Sequence, residues 1–509
     1  MQTLGIRFPD LLLWSPLIAG LLCFILRSEK NSKALALISS LLTLAIAGIS
    51  LSYAGNSKTD LQLSGLVDKY EWMQSIGGSF NIGLDGMGRL LTLLTAFSFP
   101  VIFIATYNGK YKQPAAFYGL MLLSQAGLMG VFTALDALTF YFFWELALIP
   151  VYFLCSYWGG EKRIQATFKF FVYTFTGSLL MLVGIIYMYL HTSGEFSKAG
   201  VLLHEHTFSL DAFRHINLTP TEQGWLFWLF FIAFAIKMPV FPFHTWQPDT
   251  YEQSPTAVTM VLSGIMVKMG VFAVLRWVLP VFSVAATHNS MIIIGLAVFG
   301  MIYASLIAIK QDDLKRLVAY SSIAHIGLMC ATMFASASPA APAGVTGIQG
   351  VMIQMFSHGI NIIGLWIVVD LLEKQTGTRK ISQLGGVAHK APVLTIMLVV
   401  IAFANIALPL TNAFVGEFMM FNGLFGFNKW YAAIAGISII LAAVYTLNMV
   451  QKVFYGETNA VTENVKEIAW NEKIILGVIV LVIFIVGVFP QPILNLTKDM
   501  GLVITGQAK

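Results

Sequence analysis

The sequence predicts an all-α polytopic membrane protein of about fourteen transmembrane helices. Three observations predict it. Only 11% of the 509 residues are charged, and 57% are apolar or aromatic, whereas soluble domains carry roughly 25% charged residues. Mean hydropathy is +0.77. Apolar runs long enough to cross a bilayer recur from end to end. This composition excludes a water-soluble globule, a disordered chain and a nucleic-acid binder. An outer-membrane barrel is excluded too. Its strands alternate polar and apolar residues, whereas Ile474–Phe489 is apolar on every side. The net charge of +5 is scattered and says little about partners.

The first three spans, 11–26, 34–54 and 84–107, form an N-terminal segment within 1–110. The first lacks a basic leader and an A-x-A site, which predicts a retained helix and not a signal peptide. Spans four to eight, 116–133, 136–156, 168–190, 225–247 and 255–278, fall within 111–280. Only a short turn near Thr133–Asp136 parts the fourth from the fifth. Spans nine to thirteen, 290–309, 316–336, 347–371, 392–423 and 431–454, fall within 281–455. The remainder, 456–509, holds a polar loop, a last span at 473–490 and a tail. The polar stretches 55–83, 191–224 and 455–472 are too short for soluble domains.

Two spans carry internal breaks. Pro239 and Pro242 interrupt the seventh, and Pro409 interrupts the twelfth. Proline removes a backbone donor and clashes with the preceding turn. Either proline site alone reads as a kink. Paired broken helices in two halves of a transporter point instead to an ion site. Each break is the fourth member of a run of five spans, 4–8 and 9–13. Five is odd, so a second copy would enter the membrane from the opposite side. That predicts two inverted five-helix repeats, with half-channels opening to opposite faces.

Lys and Arg set the orientation. Connections after odd-numbered spans carry most of them: Arg27, Lys30 and Lys33; Lys110 and Lys112; Lys162 and Arg163; Lys310, Lys315 and Arg316; Lys374, Arg379, Lys380 and Lys390; Lys452, Lys466 and Lys473. The other side carries Arg7, Lys58, Lys69, Lys198, Arg214, Arg276, Lys429, Lys498 and Lys509. The bias places both termini on the periplasmic side of a bacterial membrane. One connection breaks the trend: 248–254 has Asp249 and Glu252 and no base.

Ionisable groups at membrane depth are expensive, by at least about 2.5–3.5 kcal/mol on insertion scales. Glu145, Lys237, Lys268, His325, His358 and Glu417 all fall inside spans and have no adjacent opposite charge. A lone member of the set reads as a structural pair or a satisfied core histidine. Six together, as carboxylate, amine and imidazole, read as a proton relay. Asp85 and Arg89 read as an i,i+4 pair. Lys169 could tune Glu145 or snorkel. Asp312, Asp313, Lys315 and Arg316 read as a solvated, orienting connection. Cys23, Cys155 and Cys330 lie in apolar runs without a C-x-x-C pair, so no iron–sulfur or zinc site is signalled. No Gly-rich nucleotide motif or P-loop is present.

Three strings carry a family resemblance: Phe-Trp-Glu-Leu-Ala-Leu-Ile-Pro (143–150), Ile-Lys-Met-Pro-Val-Phe-Pro-Phe-His-Thr-Trp-Gln-Pro-Asp (236–249) and Asp-Asp-Leu-Lys-Arg-Leu-Val-Ala-Tyr-Ser-Ser-Ile-Ala-His-Ile-Gly (312–327). They resemble the proton-conducting membrane subunits of respiratory complex I and the multisubunit sodium/proton antiporters, over about 80–455. Glu417 in Phe-Val-Gly-Glu-Phe is similar to the M-type branch, whereas the L and N types carry lysine there. The chain departs from the family at Tyr251, where a histidine is usual, and at Leu410, where Leu-Pro-Gly would have glycine.

The resemblance implies a proton-translocating subunit with no cofactor of its own, beside partners holding FMN, iron–sulfur clusters and quinone. Those partners would be L- and N-type antiporter-like subunits and the small K and J types, all in the lipid bilayer. The buried groups are further expected to work through a switchable Glu145–Lys237 pair that passes its proton through Lys268, His325 and His358 to Glu417. A close glutamate would favour the ammonium, and separation would favour release of its proton. Two rivals remain: a D-type subunit of a sodium/proton antiporter, and a structural scaffold.

Overall fold

The computed structural model describes residues 7–26, 28–53, 65–193, 195–196, 202–204, 206–338 and 341–505. Arg27, Lys58, Lys198 and Lys509, used above for orientation, lie outside them. Twelve helices among the described residues are long and apolar enough to cross a membrane, against the fourteen spans expected. The two expected spans not among the twelve are the seventh and twelfth, which are divided.

In chain order the helices begin with α1 (Phe8–Leu26), α2 (Glu29–Leu51), α3 (Gly86–Ala105), α4 (Pro114–Thr133), α5 (Ala137–Trp158) and α6 (Arg163–Leu190). A short α7 (Leu210–Arg214) precedes the divided pair α8 (Pro220–Lys237) and α9 (Trp246–Gln253). Then come α10 (Thr256–Val281), α11 (Ser283–Ile309), α12 (Leu314–Ser336) and α13 (Gly344–Thr376). The second divided pair is α14 (Pro392–Asn405) and α15 (Asn412–Phe427), followed by α16 (Lys429–Phe454), α17 (Trp470–Val488) and α18 (Gln491–Ile504). The polar stretches 55–83 and 191–224 hold small antiparallel hairpins: β1 (Val67–Met73) with β2 (Gly78–Gly83), and β3 (Glu195–Phe196) with β4 (Leu202–His204).

Burial sorts the helices into two classes. The most apolar 18-residue window is 100% buried in α10 and 94% buried in α12 and α13, but only 39% in α6. On α6 the exposed residues Phe168, Val172, Phe175, Leu179, Val183 and Ile186 recur every three or four positions. That is a single stripe turned toward lipid. The enclosed helices are the ones that carry Lys268, His325 and His358.

Acidic and amide caps start several helices. Asp85 accepts from Gly88 N at 2.8 Å, and Asp136 accepts from Leu138 and Thr139 N. Asp313 accepts from Lys315 and Arg316 N, and Asn428 from Trp430 N. Each satisfies orphan donors of a first turn and contributes about 1 kcal/mol.

The expected Asp85–Arg89 pair does not form. Asp85 instead takes both its oxygens to Arg276 Nη2, at 2.7 and 2.6 Å. Arg89 donates to the backbone at Leu84 O and Tyr53 O. Arg276 itself belongs not to a connection but to the buried interior of α10. A fully enclosed guanidinium needs a carboxylate more than a half-open capping residue needs a neighbour on its own helix, so the long-range pair wins.

Both breaks have identifiable backbone causes. α8 stops at Lys237, before Pro239 and Pro242. The indole of Trp246 donates to Ile236 O at 3.0 Å, replacing a hydrogen bond that the break removes. α10 crosses this break closely: a β-carbon at Gly270 would lie 2.7 Å from Met238 N and Phe234 O. In the second break, Ala407 (φ 56°) and Leu410 (φ 75°) both take left-handed backbone. The turn forms without glycine at either position, at a cost of roughly 1–2 kcal/mol for each side chain held there.

Candidate functional site

Four of the six intramembrane groups form one chain through the interior. Lys268 stands between two widened helical turns of α10, Leu262–Met266 and Val274–Val278. Such turns carry i→i+5 bonds and cluster at functional sites. The Lys268 amine donates to Ser263 O at 2.7 Å and lies 2.8 Å from His358 Nδ1. The His358 and His325 rings are 5.5 Å apart, centre to centre. His325 Nδ1 lies 3.1 Å from Glu417 Oε1. Helices α10, α13, α12 and α15 thus each contribute one member. The structural order is Lys268, His358, His325, Glu417, and not the order in which the two histidines occur in the sequence.

All four side chains are enclosed, with Lys268 at 0% exposure and Glu417 at 6%. The Nε2 atoms of His325 and His358 have no protein partner. Buried groups of this kind are hydrated in folded proteins. Hydrogen-bonded imidazoles with one nitrogen bonded and the other open to water can hand a proton along.

Glu145 and Lys237 do not join that chain through any direct bond, and they do not touch each other. Glu145 is half-buried on α5, and its Oε1 has no hydrogen-bond partner. Lys237 Nζ is buried without a partner and lies 5.4 Å from the Trp144 ring centre. Trp144 is fixed in turn by its indole N–H on Ser178 Oγ at 3.2 Å and by Phe140 and Phe234. The expected pair is therefore open in this conformation. A cation over an indole face gains about 2 kcal/mol when desolvated, which offsets part of the cost of burying the amine without a carboxylate.

Polar residues that the sequence reading passed over complete the site. Gln354 Nε2 donates to Glu417 Oε1 at 3.3 Å. Asn412 at the start of α15 donates to Asn361 Oδ1 at 3.0 Å. A signal for two of them was present. Gln354, His358 and Asn361 recur at i, i+4 and i+7 on α13, a polar stripe on one helix face. His244, buried just after the first break with Nδ1 unpartnered, carried no such signal.

At the end of the bundle, charges from α6, α9, α12, α13 and the loop after α13 interlock. Lys169 pairs with Asp249 at 2.8 Å, and Arg316 bridges Asp249 and Glu252 at 3.1 and 3.0 Å. Arg379 holds Glu252 at 3.1 Å, Asp313 at 2.5 Å and Glu373 at 3.2 Å. Lys315 pairs with Glu373 at 2.9 Å. This corrects two expectations. Lys169 is partly exposed and its amine pairs with Asp249 at the end of the bundle, not with Glu145. Arg316 and Lys315 are not a solvated loop, because Asp313 starts α12 there and turns both inward. It also accounts for 248–254, whose acids are neutralised by bases from elsewhere in the chain. Burial works against the Asp249 carboxylate, but Lys169 and Arg316 outweigh it and hold the group below the usual carboxylate range.

The three cysteines are free and buried. Among the described residues no three His, Cys, Asp or Glu side chains converge as metal ligands do.

Residues 134–442 match the family described as NADH:quinone oxidoreductase/Mrp antiporter, TM. The chain is 36% identical over 491 residues to the NADH-quinone oxidoreductase subunit M of Rickettsia typhi, covering 94% of this chain and 95% of that protein. Among solved structures, a chain of respiratory complex I from Thermus thermophilus with bound NADH superposes with a TM-score of 0.86 at 26% identity, covering 98% of this chain and 100% of that one. A chain of the Mrp complex from Dietzia sp. gives 0.83 at 18% identity, covering 98% and 97%, a likeness of fold alone.

Proposed function

The chain belongs to the NADH:quinone oxidoreductase/Mrp antiporter membrane family, and from that membership we propose that it works as the M-type proton-translocating subunit of an NADH-quinone oxidoreductase. The observation that carries the proton-moving part is the enclosed series Lys268, His358, His325, Glu417, with bonds of 2.8 and 3.1 Å at its two ends. Ionisable groups at membrane depth are rare and mark ion and proton paths, and four of them in series fit such a path.

In this reading electron transfer happens elsewhere. FMN, iron–sulfur clusters and quinone belong to partner subunits, and this chain contributes no redox site. Its neighbours are L- and N-type antiporter-like subunits and small K- and J-type subunits. The chain sits in the bacterial plasma membrane with both termini periplasmic. Residues 111–280 and 281–455 act as two inverted halves after an N-terminal segment (1–110), with 456–509 closing the bundle. The sodium/proton antiporter reading shares the family model and has a likeness of fold at 18% identity, whereas the relative at 36% identity is an NADH-quinone oxidoreductase subunit M.

Glu145 and Lys237 form the switch. In the open arrangement Lys237 rests over Trp144. Closure onto Glu145 would supply a counter-charge and hold the ammonium. Reopening would remove it and drive the proton toward Lys268 through intervening water. A difference of one pKa unit needs about 1.4 kcal/mol, so a conformational signal of a few kcal/mol from the redox partners suffices.

The test is Lys237→Ala and Glu145→Ala in the intact membrane complex. Both variants should assemble and lose NADH-driven proton uptake. Wild-type uptake in both would end the pair proposal. Glu417→Gln should impair pumping while Glu417→Asp retains part, and wild-type pumping in the Gln variant would make Glu417 a structural residue.

A further inference from the structure

A pocket of about 20 Å³ borders Glu417 and His325, with Ala442 and Tyr445 of α16 in its wall. That is room for about one water. A second pocket, of about 220 Å³, carries Lys310, Gln311, Asp312, Asn448 and Lys452. Lys310, Asp312 and Lys452 are exposed, so this pocket is a polar mouth at one end of the bundle. Tyr445 is the only described residue that lines both.

Tyr445 is also pinned. It is 1% exposed, and its hydroxyl donates to Ser321 Oγ at 3.0 Å. The same oxygen accepts from Asn405 Nδ2 at 3.2 Å. Asn405 is the last residue of α14, where the twelfth span breaks, and Ser321 stands one turn before His325 on α12. One hydroxyl therefore ties the tyrosine ring to the broken helix and to the relay helix together.

We infer that Tyr445 is the gate between Glu417 and the face bearing Lys310 and Lys452. This rests on the relay reading of Glu417. A tyrosine that merely fills the core would also have its hydroxyl satisfied. It would not have a carboxylate-lined pocket on one side and a charged, open one on the other. With Ser321 and Asn405 holding it, the ring divides the two spaces. A shift at the break that withdraws Asn405 weakens the hold, and rotation of the ring then joins Glu417 to the outer pocket. While that gate is open Glu417 exchanges protons with water at the Lys310–Lys452 face, the cytoplasmic one by the Lys and Arg bias, so the gate is where Glu417 is reloaded and not the exit of a proton delivered by Lys268.

The experiment reads access rather than pumping. Ala442→Cys places a thiol beside Glu417, in a chain whose Cys23, Cys155 and Cys330 are replaced by alanine. The assembled complex is studied in sealed vesicles of both orientations, with a charged, membrane-impermeant methanethiosulfonate as probe. Lys452→Cys in a parallel sample reports which face is which. Tyr445→Phe keeps the ring and removes a bond with a net value of about 0.5–1.5 kcal/mol, so labelling from the Lys452 face should rise about two- to tenfold. Tyr445→Ala should raise it further, again from that face alone. Labelling that stays flat in both variants, or that rises from the opposite face, overturns the gate. Should Tyr445→Ala fail to assemble, the Phe variant decides alone. Labelling that rises while Glu417→Gln pumps normally would uphold the gate and sink the relay, so the two failures are distinct.

Discussion

Lys268 and His358 meet at 2.8 Å in a part of the bundle where their side chains are 0% and 2% exposed. Two positive charges at that distance repel by about 6 kcal/mol even at an effective dielectric of about 20. The pair can therefore hold at most one excess proton, and the single hydrogen bond serves either location of it. Arginine keeps its proton at any accessible pH, so Lys268→Arg preserves charge and removes transfer. Positioned proton-transfer groups contribute roughly 10²–10⁴-fold. Lys268→Arg and His358→Gln should each lower NADH-driven proton uptake by at least about tenfold, measured in sealed membrane vesicles with assembly checked on native gels. Pumping by Lys268→Arg at the wild-type rate would show that the amine acts only as a fixed charge.

The ion-pair cluster around Arg316 ties the α9 segment to α12 and to the Arg379 loop. Arg316 touches Asp249 and Glu252 at once, so Arg316→Ala strands two acids. Half-buried pairs lie between exposed ones, worth about 0–1 kcal/mol, and buried ones, whose breakage costs about 3–5 kcal/mol. A loss of about 1–3 kcal/mol is expected, read as a lower unfolding temperature of the isolated subunit in detergent. Restoration by Arg316→Lys should be partial, since lysine lacks the fork that spans two carboxylates. An unchanged melting temperature in Arg316→Ala would mean that the cluster is solvated and slack.

How much of this was legible in the sequence follows from which forces are local. The spans were legible because burial in lipid needs about 20 apolar residues in a row. Pro239 and Pro409 announced both breaks because proline acts on its own turn. The six intramembrane groups stood out by their cost. Their partners did not. Lys268 and His358 lie 90 residues apart, and Asp85 and Arg276 lie 191 apart, so no local pattern links them. Tyr445 could not be singled out, because its position between two pockets is a property of packing alone. Asp85 and Arg89 were misread for the same reason: an i,i+4 spacing was visible, and the stronger distant partner was not.

Leu410 holds left-handed backbone at φ 75° in the break before Glu417. Glycine takes that conformation without the side-chain penalty. Leu410 is also 66% exposed, so little packing is lost with its side chain. Leu410→Gly should therefore stabilise the turn by about 0.5–1 kcal/mol after glycine's extra unfolded-state entropy is subtracted. The neighbouring wall sets a control. A β-carbon at Gly487 would meet Leu410 O at once, so Gly487→Ala should destabilise the same turn. Proteolytic susceptibility of 405–412 in the solubilised subunit reads both. Equal susceptibility in the two variants would mean that the turn carries no strain.

The hairpin β1–β2 carries a pH response that is independent of the relay. Asp68 is 2% exposed, and burial together with the nearby Asp10 carboxylate raises its pKa to about 7, with Arg7 only partly opposing them. Arg7 Nε reaches Asp68 Oδ1 at 3.1 Å, and Tyr70 donates to Asp10 Oδ2 at 2.6 Å, so these residues fasten the hairpin to the start of α1. A carboxyl whose folded value is raised binds its proton more tightly folded than unfolded. The hairpin is then most secure below about pH 4, where both states are protonated. It loses stability as pH rises toward about 7, and the loss is complete above that value. Asp68→Asn removes the titration. Infrared difference spectra between pH 5 and 8, with Asp68→Asn as reference, should show a protonated-carboxyl band vanishing with a midpoint near about 7. In the same interval, protease cleavage within 65–83 should increase in the wild type and stay level in the variant. A band that has already gone at pH 5 would place Asp68 among ordinary ion-paired carboxylates, with Arg7 outweighing its burial.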